Sequence, residues 1–327
     1  MPLPDSFASK FENIISKFIW RGHLTNNVLS RDTICLPKER GGLGVPHLRL
    51  KCKSLFLKQM FRAITGQGQS RDHYDFWLGK RMNIPFLPSY LHHIRGVRGS
   101  EKDITPPFFT YSLKLINEVF NDNIITPNEI FSVTAKQLYN AFSESLPSAK
   151  IEETYPEHDW PRTWKLLSNK VLSSESVSFM YLITHERVGT RERGHRLMPN
   201  KYPTSNCPRC TRSDESIKHC YIECSFVSDV WAWIYSKIIH LDPFLGEHDD
   251  LCLLQLKFSS SIHDNAIIWL LGNFISLVER EVVSKNNILS LPFVIGFFRQ
   301  LKTSHSTQAL PDISFIPGID WDNEGIG

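Results

Sequence analysis

The stretch CPRCTRSDESIKHCYIEC, residues 207–224, contains four of the chain's 7 cysteines and one histidine. Cys207, Cys210, His219 and Cys224 follow the spacing Cys-x2-Cys-x8-His-x4-Cys. Three thiolates and one imidazole complete the tetrahedral coordination that Zn²⁺ prefers, and they leave no open position for a catalytic water. The spacing therefore predicts a small module built around one structural Zn²⁺.

Three other uses of these cysteines fit the sequence less well. A dithiol redox motif is expected where a strand meets a helix, and residues 200–206 show no strand pattern. A zinc deaminase requires Pro-Cys-x-x-Cys with an upstream His-x-Glu, but Asn206 precedes Cys207 and no His-x-Glu lies upstream. Burial of the thiols without a metal is disfavoured by the polar side chains of residues 211–215. Metal binding remains the interpretation that explains the spacing.

The spacing alone leaves the fourth ligand open. In an uninterrupted helix from Ser216 to Lys237, His219 and Cys224 would point about 140° apart. Cys220 and Cys224, at i and i+4, would share one face of that helix. Either a local turn follows His219, or Cys220 replaces the histidine as a ligand.

Helical periodicity predicts the fold class. Apolar residues recur at helical spacing near residues 6–19, with Ser6 as a cap, and from Leu48 to Ile64. The predicted inner face of the second helix is Cys52, Leu55, Phe56, Met60 and Ala63. A short extended stretch is expected at residues 33–36, and a buried helix at 267–278, which is too short for the roughly 18 residues of a membrane span. We expect a mainly α fold of several short helical bundles with a small zinc-binding module.

Shifts in composition divide the sequence into four predicted regions. These are a basic helical region at 1–100, a helical connector at 101–160, the zinc-binding region at 161–240, and a C-terminal helical region with an acidic tail at 241–327.

Hydrophobic residues make up 41% of the chain, which is typical of a globular protein. The cysteine usage suits a reducing compartment, and the N-terminal residues show no secretory signal. We expect a cytoplasmic or nuclear protein with no membrane association and no small-molecule substrate.

The formal net charge of +3 conceals a strong asymmetry. Residues 1–100 carry 16 Lys and Arg against 6 Asp and Glu, whereas the remaining residues carry 21 against 28. Segregated positive charge can steer a polyanion to one end of a molecule, although it can also serve only to solvate a helix. The basic regions 38–62 and 187–201 therefore predict an RNA or DNA partner. The candidate phosphate-binding residues are Lys38, Arg49, Lys51, Lys53, Lys58, Arg62, Arg187, Arg191, Arg193 and Arg196.

Two separated blocks of the sequence resemble one family. The first comprises FIWRG at residues 18–22, LPK at 36–38 and GGLGVP at 41–46. It is similar to the segment after the reverse-transcriptase thumb in LINE-type (non-LTR) retrotransposon polyproteins. The second block, from Leu182 through TRER at 190–193 and the cysteines to Trp231, resembles the reverse-transcriptase zinc-binding domain of those polyproteins. This resemblance implies that His219 is the fourth ligand.

The chain departs from that family where catalysis is concerned. The palm aspartates that hold Mg²⁺ in such polymerases have no counterpart, because the one Asp-Asp pair, Asp249-Asp250, lacks flanking strands and is predicted to lie in a loop. A predicted solvated helix face consists of Asp264, Glu279, Glu281 and Lys285. We therefore expect no catalytic activity. Two alternatives stay open: a C-terminal fragment of a LINE-type reverse transcriptase whose polymerase domain lies in a longer reading frame, and a decayed fragment without function.

Overall fold

The computed structural model describes residues 4–19, 29–66, 72–74, 77, 106–247, 249–258 and 261–306. Within these ranges every regular element is helical, and β-pairing is limited to one antiparallel bridge between Asn206 and Asp214. The prediction of a mainly α fold is confirmed. No helix of the described ranges combines the length and the apolar character needed to cross a membrane. The predicted acidic tail and residues 20–22 of the first resemblance block lie outside the described residues.

Two compact units divide the chain. Unit 1 consists of Met1–Leu36 and Gly42–Pro147, and unit 2 of Pro37–Gly41 and Ser148–Gly327. The helices of unit 1 are α1 (Asp5–Ile19), α2 (Arg31–Cys35), α3 (Leu48–Thr65), α4 (Pro107–Asn121), a 3₁₀ turn (Pro127–Phe131) and α5 (Ala135–Glu144). Those of unit 2 are a 3₁₀ turn (Lys38–Arg40), α6 (Lys150–Thr154), α7 (Trp160–Leu167), α8 (Ser174–Thr184), α9 (Arg191–Leu197), a π-turn (His219–Glu223), α10 (Ser228–Leu241), a 3₁₀ turn (Pro243–Glu247), α11 (Asp250–Leu254), α12 (Asp264–Leu277), a second π-turn (Val278–Val283) and α13 (Leu291–Ser306).

Helix α3 forms the centre of unit 1. Its buried residues Leu57, Phe61 and Ile64, at i, i+4 and i+7, pack against the apolar faces of α4 and α5. The predicted inner face of α3 is wrong at Leu55, which is 47% exposed. The face with Leu57, Phe61 and Ile64 is the buried one because its apolar side chains are larger than those of the face with Cys52 and Ala63, so its burial is more favourable.

The N-terminal elements of unit 1 differ from expectation in two places. Helix α1 begins at Asp5, before Ser6, so Ser6 does not cap it. Residues 31–35 form α2 instead of an extended stretch, because the Ser30 hydroxyl accepts the Thr33 N–H at 3.0 Å and caps the helix. The cap and the burial of Thr33 and Ile34 outweigh the strand preference of these β-branched residues.

Helix α12 is the buried centre of unit 2, as the sequence predicts. Every residue from Ala266 to Leu277 is buried. Gly272 allows α8 to approach closely, since a Cβ at this position would lie 3.0 Å from Met180 Sδ and 3.3 Å from Ser176 Cβ. The hydroxyl oxygens of Ser176 on α8 and Ser276 on α12 are 2.9 Å apart, so the polar groups of this contact are paired.

A glycine attaches the segment Pro37–Gly41 to α7 and α8. The Gly41 carbonyl accepts hydrogen bonds from the Tyr181 hydroxyl at 2.8 Å and from His185 Nε2 at 3.0 Å. The φ of Gly41 is +73°, and a Cβ there would lie 2.6 Å from the Trp164 ring. Trp164 in turn stacks on His185, with ring centroids 5.0 Å apart. Glycine is required at position 41 by both its backbone angle and its neighbours.

Candidate metal centre and basic surfaces

A tight turn presents the first two cysteines of the motif. The Thr211 N–H donates to the Cys207 carbonyl at 3.0 Å, and the Cys207 N–H donates to the Ser213 carbonyl at 2.8 Å. Thr211 adopts φ 57°, which is unusual for a β-branched residue. The turn therefore places the side chains of Cys207 and Cys210 on the same side of the backbone.

A π-turn presents the other two ligands. The Cys224 N–H donates to the His219 carbonyl at 2.9 Å, which is an i to i+5 hydrogen bond. Such a turn brings residues five apart onto one side, whereas an α-helix would separate them. This local geometry explains why the histidine and the cysteine can be five residues apart and still share a metal ion.

The structure brings the four predicted ligands together. Their ligand atoms all lie within 4.8 Å of one another. The Sγ atoms of Cys207 and Cys224 are 3.9 Å apart, and Cys210 Sγ lies 3.2 Å from His219 Nε2. Tetrahedral Zn²⁺ with Zn–S distances of about 2.3 Å separates its ligand atoms by roughly 3.5–4 Å. The cluster thus has the donor set of a closed zinc site, and its ligand atoms are close enough together to hold one metal ion.

Cys220 takes no part in this cluster. Its Sγ accepts a hydrogen bond from Arg209 Nη2 at 3.3 Å, and the residue is 3% exposed. Burial raises the pKa of the Cys220 thiol well above its ordinary value. The geometry therefore favours His219 as the fourth ligand.

Charge around the cluster favours metal binding. Burial raises the pKa of the Cys224 thiol to about 11, so a thiolate at this position needs a cation close by. A metal ion held by the four side chains would supply that cation. The guanidinium of Arg209 also lies near Cys224; this side chain is 3% exposed and forms an ion pair with Glu215. Glu215 also accepts a hydrogen bond from the backbone N–H of Arg191 at 2.8 Å, and this bond links the segment that follows the Cys207–Cys210 turn to the start of α9.

The predicted solvated face is wrong for its three acids. Asp264 pairs with Arg162 Nη2 at 2.7 Å, and Glu281 is 9% exposed. Glu279 accepts a hydrogen bond from the hydroxyl of Tyr221, which is fully buried. Asp264 and Glu279 meet partners on distant segments, which helical periodicity within one segment does not reveal, whereas Glu281 pairs with Arg280 and Lys285 of its own segment.

Asp249 and Asp250 are structural and lie at a helix start, not in the predicted loop. Asp249 Oδ1 caps α11 by accepting the Leu251 N–H at 2.8 Å. Asp250 accepts Trp231 Nε1–H at 2.8 Å. Over the described part of the chain, the Cys207, Cys210, His219 and Cys224 group is the one cluster of His, Cys, Asp or Glu that could hold a metal ion.

Three of the predicted phosphate-binding residues line up on α3. Lys51, Lys58 and Arg62 occur at i, i+7 and i+11, so they lie within about 40° of one another around the helix axis. Lys51 and Arg62 are exposed, Lys58 is half-buried, and Leu55 is exposed between them. We call Lys51, Lys58 and Arg62 the α3 cation row.

The other cations of this basic region are placed differently. Arg49 Nε lies 3.5 Å from a carboxylate oxygen of Glu12. Lys53 pairs with Glu118, and its ammonium lies 4.1 Å from the centroid of the Phe142 ring. Lys38 is exposed but belongs to unit 2. Lys53 is thus engaged by Glu118 and Phe142 within unit 1.

The basic residues of unit 2 surround α9. Arg193 Nη1 donates to the Arg187 carbonyl at 2.7 Å, and burial lowers the pKa of Arg193. The Arg191 guanidinium carbon lies 5.2 Å from the centroid of the Tyr202 ring. Arg196 is exposed, and Arg187 is half-buried. Arg193 thus serves local structure, while Arg196 faces outward.

Sequence reasoning missed Arg209, Glu215, Tyr221 and Glu279, the polar residues that surround the metal cluster. Arg209 and Glu215 lie inside the motif, and their opposite charges could have suggested a pair. Tyr221 has the pattern of an ordinary core aromatic. Glu279 lies far downstream in the sequence, so nothing in the local pattern connects it with the motif.

A family model described as zinc-binding in reverse transcriptase matches residues 134–231. The matched segment contains Cys207, Cys210, His219 and Cys224. No curated protein matches the chain. The family match supports a retroelement-derived protein that is related to reverse transcriptases and contains a zinc-binding domain.

Proposed function

We propose that this is a non-catalytic protein derived from a LINE-type element, that it holds one structural zinc ion, and that it binds RNA or DNA. The zinc assignment is supported by the family match and by four ligand atoms within 4.8 Å of one another. Because all four positions of a tetrahedral ion are taken by protein, the ion has no site for a substrate and its role is to stabilise the fold.

The α3 cation row is the observation that most strongly supports the proposal of nucleic-acid binding. The row spans about 16 Å along the helix, with separations of about 10 Å and 6 Å between successive cations. Three aligned positive charges can contact successive phosphates of one strand, and the exposed Leu55 offers an apolar contact for a base. Backbone contacts of this kind give binding that tolerates different sequences.

The experiment compares two variants with the same change in net charge. The test variant is Lys51→Glu, Lys58→Glu and Arg62→Glu. The control variant is Lys136→Glu, Lys165→Glu and Lys170→Glu, three exposed lysines that lie on no common helix face. Fluorescence anisotropy with a labelled single-stranded RNA, repeated over a salt series, gives the affinity and its salt dependence.

We expect the test variant to bind at least about tenfold more weakly. Its salt slope should fall by about 2, since each contact to a single strand contributes roughly 0.7. The control should keep most of the slope. Equal loss in the two variants would show that net charge alone acts, and absence of salt-sensitive binding by the wild type would refute nucleic-acid binding. Competition with the same sequence as DNA distinguishes RNA from DNA.

A further inference from the structure

The two π-turns of unit 2 are joined by a buried hydrogen bond. Tyr221 lies in the turn His219–Glu223, and its hydroxyl donates to Glu279 in the turn Val278–Val283. The Tyr221 side chain is completely buried. Single π-turns are rare in proteins and occur frequently at functional sites. One of these turns presents His219 and Cys224, so the hydrogen bond acts directly on the segment that holds two ligands.

A charge from the other half of the cluster also acts on Glu279. Burial raises the pKa of Glu279, whereas the Tyr221 hydroxyl and the positive charge of Arg209 lower it. Arg209 lies in the turn between Cys207 and Cys210, and its ion pair with Glu215 holds its side chain in place. A buried carboxylate is unfavourable unless it is hydrogen-bonded and near positive charge. Tyr221 and Arg209 meet this need from the two segments that supply the ligands.

We propose that Glu279 is a positioning residue of the metal centre, which acts through Tyr221 to fix the π-turn that presents His219 and Cys224. This inference rests on the proposed zinc site. It extends the metal-binding module beyond the matched segment, which ends at residue 231. Groups that orient the ligands of a metal contribute to its affinity without touching the ion.

The test uses the full chain and measures zinc affinity by competition with a chelator of known affinity. The variants are Tyr221→Phe, which removes only the hydroxyl, and Glu279→Leu. The matched control is Glu281→Leu. Glu281 is in the same π-turn, is 9% exposed, and pairs with Arg280 and Lys285 of its own segment. Circular dichroism establishes that each variant is folded, and absorption spectra of the Co²⁺-loaded proteins report the ligand geometry.

We expect Tyr221→Phe and Glu279→Leu each to weaken zinc binding by about 10–100-fold and to shift the Co²⁺ bands. Glu281→Leu should lower thermal stability and leave the zinc affinity and the Co²⁺ spectrum unchanged. Glu279→Gln retains an oxygen that can accept the tyrosine hydroxyl, so it should keep most of the affinity. If Glu279→Leu does not fold, Tyr221→Phe tests the same hydrogen bond from its other side.

The outcomes separate this inference from the proposed zinc site. If the wild type binds no zinc, the metal centre itself is refuted and the inference fails with it. If the wild type binds zinc and folded Tyr221→Phe binds equally well, the positioning role is refuted while the site stands. An equal loss in Glu281→Leu would also refute it, because the effect would then reflect general destabilisation of the turn.

Discussion

One hydrogen bond decides which side chain completes the metal cluster. The Cys224 N–H reaches back five residues to the His219 carbonyl, and this replaces the α-helical pairing that would have aligned Cys224 with Cys220. Cys220 then points toward Arg209, where its thiol is a buried hydrogen-bond acceptor. Two adjacent residues, both able to bind zinc, thus have different roles because of backbone geometry alone.

Substitution of these two neighbours should have opposite results. His219→Ala should release zinc, because three remaining ligands leave one position of the tetrahedron empty. Cys220→Ala should keep one zinc per chain. Elemental analysis of the purified variants measures the stoichiometry. Zinc loss in Cys220→Ala with retention in His219→Ala would reassign the fourth ligand.

Two glycines with similar backbone angles should differ in their response to alanine. Gly41→Ala combines a positive φ with a Cβ placed 2.6 Å from the Trp164 ring, so we expect a loss of about 3 kcal/mol in the free energy of unfolding. Gly44, at φ +67°, has no atom within 4 Å of an added Cβ, so Gly44→Ala should cost only about 1 kcal/mol. Urea denaturation measures both values. Equal costs would show that Trp164 moves aside.

At the scale of elements, the contact of α7 and α8 with the segment Pro37–Gly41 depends on a neutral histidine. The pKa of His185 is lowered to about 4, because burial and the nearby Arg187 lower it by more than its hydrogen bond to Gly41 raises it. The unfolded chain has the ordinary value of about 6.5 and therefore binds more protons between these two pH values. The contribution of neutral His185 to the free energy of unfolding is fully present above pH 6.5 and is lost progressively as the pH falls toward 4.

The size of this effect can be measured with one conservative substitution. Between pH 7 and pH 5, titration of His185 should remove about 2 kcal/mol from the free energy of unfolding. In His185→Gln the side-chain amide can still donate to Gly41, but it does not titrate. The variant should therefore show a pH dependence smaller by that amount in urea denaturation. If both proteins lose the same stability, the pKa of His185 is the same in the folded and the unfolded chain.

The elements also show how far sequence reasoning reaches. Ligand spacing and helical periodicity are local properties. They predicted the three clustered cysteines and the buried helix α12, whereas the choice of His219 over Cys220 came from the family resemblance. The inner face of α3 and the helix α2 were mispredicted, because stripe size and a single cap decided between competing local patterns. The pairing of Tyr221 with Glu279 depends on tertiary packing between segments that are distant in sequence, so no local sequence pattern could have predicted it.

At the scale of the whole molecule, the proposal of a non-catalytic protein can be tested with a polymerase assay. Two-metal phosphoryl transfer needs carboxylates that clamp both ions, and Asp249 and Asp250 are engaged with α11 and Trp231 instead. We predict no primer extension by the purified chain with Mg²⁺ or Mn²⁺ above a no-protein control. Incorporation that persists in the variant Asp249→Ala, Asp250→Ala would reveal catalytic groups elsewhere in the chain.

Removal of the metal should affect the units of the chain unequally. All four ligands lie in unit 2, and through Tyr221 their π-turn is bonded to the end of the central helix α12. Structural zinc contributes its binding energy to folding, so a chelator should destabilise this unit. Hydrogen exchange should show lost protection in both π-turns, His219–Glu223 and Val278–Val283, while amides of α3 stay protected. Lost protection confined to the first turn would mean that the metal centre folds independently of α12, and unchanged protection throughout would mean that zinc contributes no folding energy.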